Sequence, residues 1–225
     1  MSAVAPPPQT RRDPREDPRF DAYEEPLGDY VPACTGLTMT ADEFLALVPD
    51  PSLDRWLIDG VLWEKPMTTR NVPHSKAEAR VAQKLANWLD EQVPPFGEIS
   101  AGEAAVRLPG RDTAVGVDAV VLDAATVAAQ PPPPGLREGM HVWQGVPVLA
   151  VEILSPSDRE EEWQAKLLSY LEAGVAQVWI LSPRLRTVTV HRPDAKPAIY
   201  SGDDLLRGDP DLPGFAVPAD SLFGG

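Results

Sequence analysis

Two carboxylates, Asp118 and Glu152, each stand in the middle of an apolar run that reads as a buried strand. The runs are Ala114-Val115-Gly116-Val117-Asp118-Ala119-Val120-Val121-Leu122 and Val148-Leu149-Ala150-Val151-Glu152-Ile153-Leu154. An ionised carboxylate in such surroundings is costly unless it is paired, hydrogen-bonded or bound to a metal. Two of them ask for one explanation, so any fold of this chain must bring both to a place where their charge is met. Glu152 alternates with Val148 and Ala150 on one side of its strand, while Leu149, Val151 and Ile153 take the other. The glutamate therefore faces a cleft or a helix. Lys166 follows at the border of a helical apolar stripe that includes Trp163, Leu167, Tyr170 and Leu171. That helix starts directly after the glutamate strand and should pack back across it, so Asp118, Glu152 and Lys166 converge.

The rest of the chain supplies a frame for such a site. Thr40-Ala41-Asp42-Glu43 has capping-box spacing and opens a short helix. Asp59-Gly60 between Trp56-Leu57-Ile58 and Val61-Leu62-Trp63 predicts a hairpin. Ser75-Lys76-Ala77-Glu78 repeats the box and opens a helix with Val81, Leu85, Trp88 and Leu89 on one face, ending before Pro94. One or two strands fill Glu98 to Leu108, the Asp118 strand follows, and Gln130-Pro131-Pro132-Pro133-Pro134-Gly135 is a loop. Ser157 with Glu160 makes a third box, and the helix it opens runs to Ala173, where Gly174 stops it. Val175 to Leu181 and Thr187 to Arg192 read as two further strands. The order predicts an α/β or α+β layer, a central mixed sheet covered by helices.

Residues 1–36 hold Pro6-Pro7-Pro8, Pro14, Pro18, Pro26 and Pro32 among charges, with little apolar periodicity, and read as a flexible Pro-rich acidic tail ahead of one folded domain, residues 37–225. No run is long enough for a signal-peptide core or a membrane span, which predicts a cytoplasmic protein with no membrane partner. The single cysteine, Cys34, excludes an internal disulfide framework or a cysteine-built zinc site. The net charge is −14; four arginines against seven carboxylates leave the tail at −3 and the rest at −11. That excludes a broad basic coat for nucleic acid and demands a local basic face or bound cations for any polyanionic substrate.

A divalent-metal site for phosphodiester cleavage explains the paired carboxylates, with Lys166 supplying the positive charge a reacting phosphate needs. The structural alternatives are neutralisation of each carboxylate by a buried Arg or Lys, and a Lys166 that merely runs its stem over the core to solvent. His74 lies at a helix N-terminus, where an anion can be held. On the same helix Lys76, Arg80 and Lys84 recur every four residues and make either a solvated face or a basic edge whose mutual repulsion a ligand anion would relieve.

Several stretches resemble the Uma-two family, bacterial proteins described as restriction endonucleases of the PD-(D/E)XK nuclease superfamily. They are Val151-Glu152-Ile153-Leu154-Ser155-Pro156-Ser157, Lys166-Leu167-Leu168-Ser169-Tyr170, Ala173-Gly174-Val175 with Trp179, Leu57-Ile58-Asp59-Gly60, His74-Ser75 and Leu212-Pro213-Gly214-Phe215. The similarity spans roughly residues 39 to 223. It implies a restriction-endonuclease-like fold that hydrolyses DNA with Mg²⁺ or Mn²⁺ held by Asp118, Glu152 and the Ile153 carbonyl. Lys166 would position the attacking water, and His74 would contact the scissile phosphate or assist proton transfer. DNA is the expected partner, with a homodimer the assembly considered beside it. The lysine usual two residues after the glutamate is Leu154 here, and Lys166 stands in for it. Other departures are Trp56 and Val61 where the family tends to carry glutamates, Val117 in place of a proline, and Gln177-Val178 in place of an acidic residue. Two rivals stay open. One is a nuclease-fold member that binds or regulates without turnover; the other is a two-carboxylate glycosidase, which needs neither lysine nor metal.

Overall fold

The computed structural model describes residues 34–67, 71–131 and 142–224. The expected tail lies outside these as far as residue 33, and its last three residues already belong to the first strand, β1 (Cys34–Thr38). The Pro-rich loop lies outside them beyond Pro131. The Thr40 capping box forms with both reciprocal bonds and starts α1 (Ala41–Leu45). β2 (Leu53–Ile58) and β3 (Val61–Pro66) pair antiparallel around Asp59 and Gly60, whose φ values of 50° and 75° suit a two-residue turn that follows the strand twist.

Two caps differ from the sequence reading. Helix α2 (Val72–Asp90) is capped by Asn71, upstream of the expected Ser75. The Asn71 side chain accepts from the His74 N–H at 2.9 Å, and Pro73 sits in the first turn, where no N–H is needed. His74 is therefore inside the helix and buried. The Ser157 box does not form either. α4 (Glu160–Ala173) starts after Arg159, which makes no side-chain cap bond. Its start is held from outside by Lys65 of β3, whose ammonium reaches Asp158 at 3.0 Å and Glu162 at 3.3 Å. Gly174 ends α4 in the left-handed conformation, as expected.

Between these helices run β4 (Gly97–Leu108), β5 (Thr113–Asp123), the short α3 (Ala124–Ala128), β6 (Trp143–Gln144) and β7 (Leu149–Ile153). After α4, β8 (Gln177–Ser182) lies parallel to β7, and β9 (Thr187–His191) and β10 (Ala198–Ser201) follow antiparallel. The sequence reading assigns no helix or strand past Arg192. There the chain forms β10, a small separate pair of β11 (Leu205–Arg207) and β12 (Ala216–Pro218), and a final turn at Ala219–Leu222.

Among the described residues ten strands make one mixed sheet in the order β1-β3-β2-β5-β7-β8-β9-β10, with β4 paired to β5 and β6 paired to β4. Two apolar layers cover it. α2 and the C-terminal segment bury Leu149, Val151, Ile153 and Trp179 on one face. α4 buries Ala150, Val178 and Ile180 against Leu167 and Tyr170 on the other. The alternation read for β7 is thus correct, and Glu152 shares the α4 side with Ala150.

β5 organises the centre. Along one edge it pairs with β4 over nearly its whole length; along the other it pairs first with β2, at Ala114, and then with β7, from Ala119 onward. Residues 115–118 fall between these two partners, and there the sheet forks. The β4 register shifts between Ala101 and Ala104 opposite the same point. In β5 itself Val115, Val117, Val120 and Leu122 all pack in one layer while Ala119 and Val121 pack in the other, so strict alternation breaks beside Asp118. A bulge that re-aims a side chain does this.

The caps can be tested. Asn71→Ala should lower unfolding free energy by about 1 kcal/mol in denaturant titration, the usual value of an N-cap, whereas Ser75→Ala should change it by less than about half that.

Candidate active site

The fork leaves backbone groups of β5 and β7 without strand partners, and side chains of the site take their place. Asp118 accepts from the Ile153 N–H through Oδ2 at 2.7 Å. The Lys166 ammonium donates to the Gly116 carbonyl at 2.9 Å and lies 3.3 to 3.4 Å from the Glu152 carboxylate. His74 Nε2 stands 3.4 Å from the other Asp118 oxygen, and its Nδ1 stands 3.8 Å from Glu78. Four sequence-predicted residues, His74, Asp118, Glu152 and Lys166, thus meet at the fork, and Ile153 meets them through its backbone. All five line a cleft of about 510 Å³.

Three partners were not read from the sequence. Tyr170 donates its phenol O–H to Glu152 at 2.5 Å. It lies one helical turn after Lys166, so the i, i+4 spacing was the available signal. Glu103, on the β4 bulge at φ 59°, lies across Gly116 so closely that a Cβ on that glycine would collide with its carboxylate. Trp56 lies beside Lys166 within the cleft lining. Neither of these was accessible without the fold.

The electrostatics follow from burial and from an excess of carboxylates. Burial pushes Asp118 upward, but the hydrogen bond and charge of His74, the Ile153 N–H and Lys166 outweigh it, so Asp118 is held below its ordinary value and stays ionised. Glu152 is pushed up to about 7, first by burial and then by the charge of Asp118, despite Lys166 and the Tyr170 hydroxyl. Burial alone would lower Lys166; the carboxylates of Glu152, Glu103, Asp118 and Asp54 hold it above the ordinary lysine range. Tyr170, buried against Glu152, is raised and remains a proton donor. Asp118 is held ionised, Glu152 is pushed toward neutral pH, and the Lys166 ammonium beside Glu152 stays charged.

The donor set suits a hard divalent cation: carboxylate oxygens, with a surplus of negative charge that a cation would offset. Among the described residues no group of three or more His, Cys, Asp or Glu side chains is arranged to hold a metal. An ion here would rest on Asp118, Glu152 and a carbonyl and keep most of its shell as water, as Mg²⁺ does.

Lys76, Arg80 and Lys84 are placed elsewhere. They project about 80° to 160° round the helix from His74, at 3.6 residues per turn. Arg80 and Lys84 line a second hollow with Arg186 and Asp220. None of the three lines the cleft.

The fold is a mixed sheet flanked by helices, and a buried Asp, Glu and Lys meet where it forks. The family model Uma2, "Putative restriction endonuclease", matches residues 41–220, and the chain belongs to that family. A crystal structure described as a "putative nuclease belonging to DUF820" from Anabaena variabilis superposes with a TM-score of 0.67 at 21% identity, covering 82% of this chain and 97% of that one. It shares the fold. No curated protein matches. Among the described residues no helix is long and apolar enough to cross a membrane.

Glu152 gives a pH prediction. Its folded value of about 7 lies above the ordinary 4.5, so the folded state holds this proton more tightly than the unfolded chain. The contribution favours folding fully below pH 4.5 and is lost as pH rises through 7. In metal-free buffer Glu152→Gln should remove this loss: its melting temperature should gain on the parent between pH 5 and 8, as thermal unfolding at each pH will show.

Proposed function

We propose that this protein is a divalent-metal-dependent nuclease that hydrolyses DNA phosphodiesters in the forked cleft. The observation that carries the reading is the Lys166 ammonium, seated between the Gly116 carbonyl and Glu152 while Asp118 stands ionised across the fork. A lone buried lysine could be structural. One fixed beside two carboxylates of unequal charge is the arrangement that phosphodiester hydrolysis needs.

Asp118, Glu152 and the Ile153 carbonyl would hold Mg²⁺ or Mn²⁺, which when bound would activate water and offset phosphate charge. Lys166 orients the attacking water and offers positive charge where it accumulates on the phosphate in the transition state. His74, held in the first turn of α2 against Asp118, fixes that carboxylate and its ionised state. Tyr170 does the same for Glu152. The cations of the cleft, Arg55, Lys65 and Lys166, are all paired with carboxylates, so the cleft offers a polyanion little attraction before metal binds. That same balance favours the second reading, a nuclease-fold member that binds without turnover. A cleavage assay on supercoiled and linear DNA, with Mg²⁺ and Mn²⁺ against EDTA, separates the two.

In that assay Asp118→Asn and Glu152→Gln should abolish metal-dependent cleavage while remaining folded. Lys166→Ala should lose about a hundredfold in rate. Lys166→Arg should recover only part, since a planar guanidinium cannot replace a compact ammonium. Full activity in all three single-charge variants would refute the site.

The outer basic edge is a separate proposal, that Lys76, Arg80 and Lys84 contact DNA phosphates away from the cleft. Replacing all three by Gln should lower the slope of log affinity against log salt by up to about 2.7, at roughly 0.9 per phosphate contact, with little change in saturated cleavage rate. An unchanged slope would make this face merely solvated.

A further inference from the structure

Lys166 has another close neighbour besides Gly116 and Glu152. Its ammonium lies 5.7 Å from the centre of the Trp56 ring, within the range of a cation–π contact. Trp56 is 3% exposed and faces Trp63 across the β2–β3 hairpin, the two rings stacked with centres 6.1 Å apart and planes 19° apart. The Lys65 ammonium stands 5.5 Å from the same ring centre and is bound to Asp158 and Glu162 at the start of α4. The ring is thus fixed by the hairpin on one side and by the lysine that fastens α4 on another.

We propose that Trp56 is a positioning residue for the reaction, holding the Lys166 ammonium against the Gly116 carbonyl and Glu152 through the face of its ring. The inference rests on the role assigned to Lys166 above. A lysine side chain has a flexible four-carbon stem, and two polar partners leave it freedom to swing toward solvent along the open side of the cleft. A fixed aromatic wall removes that freedom without adding another carboxylate to an already acidic cluster. Here the ring's negative face does by quadrupole what an ion pair would do by charge.

The indole itself shows which part of the residue is in use. Its N–H, the only polar group of the side chain, is buried and has no hydrogen-bond partner among the described residues. A tryptophan whose donor is idle acts through its ring, so phenylalanine should serve in its place while an aliphatic residue should not. Were the N–H reserved for a substrate phosphate, phenylalanine would fail as badly as leucine.

The test combines Trp56→Phe and Trp56→Leu, each with Lys166 intact and with Lys166→Ala, in single-turnover cleavage of supercoiled DNA at saturating Mg²⁺. Trp56→Leu should slow the saturated rate about tenfold with DNA affinity nearly unchanged, the loss expected of one desolvated cation–π contact. Trp56→Phe should stay within about threefold of the parent. Combined with Lys166→Ala, neither substitution should slow the reaction further, because Trp56 acts only through that lysine. The proposal is overturned if Trp56→Phe is as slow as Trp56→Leu with weaker DNA binding. It is equally overturned if Trp56→Leu slows the Lys166→Ala protein by the same factor as the parent. If the parent itself cleaves nothing with any metal, the nuclease reading fails and the contact is decided by stability. Denaturant unfolding of the same variants must then show non-additive losses for Trp56→Leu and Lys166→Ala, and additive losses overturn it.

Discussion

A sheet that forks around one strand determines the rest of this molecule. β5 gives part of one edge to β2 and part to β7, and the residues in between, 115–118, are left facing a gap. Buried backbone groups without partners are costly, so the gap must be filled by side chains that can bond to main chain. Asp118 takes the Ile153 N–H and Lys166 takes the Gly116 carbonyl. The charges those side chains bring then need their own partners, which are His74, Glu152 and Tyr170. The candidate site is therefore part of the solution to a packing problem.

Much of this was legible in the sequence because burial and charge conflict there openly. Asp118 and Glu152 stand out from their apolar runs, and Lys166 from its stripe, with no knowledge of the fold. The short crossover from β7 to α4 then forces the helix back over the glutamate, which is why these residues could be placed together. The helix starts misled because Ser75 and Ser157 satisfy a local spacing rule that Asn71 and the Lys65 ion pairs override. Asn71 wins since it lets Pro73 sit where no N–H is required; the start of α4 is set by a residue nearly a hundred positions away. Trp56 and Glu103 lie on other strands, and the break in alternation beside Asp118 falls opposite a register shift in β4. No period along β5 alone could reveal these.

The chain's acidity now has a local meaning. Six carboxylates line the cleft, those of Asp54, Glu103, Asp118, Glu152, Asp158 and Glu162, and each lysine there is engaged by at least one of them. Under the proposed function such a cleft would repel nucleic acid until a cation entered, which would tie substrate binding to metal binding. The same excess explains why burial can hold Glu152 near neutrality while Lys166 stays charged beside it.

That coupling makes one measurement decisive. On the proposed assignment, a cation on Asp118 and Glu152 would displace the proton Glu152 holds below pH 7, so binding would release it. Calorimetric titration of Mn²⁺ in two buffers of different ionisation enthalpy should show a single site that releases close to one proton at pH 6 and almost none at pH 8.5. Absence of binding to the parent protein, or binding that releases no proton at pH 6, would contradict the assignment of this fork as a metal-dependent nuclease centre.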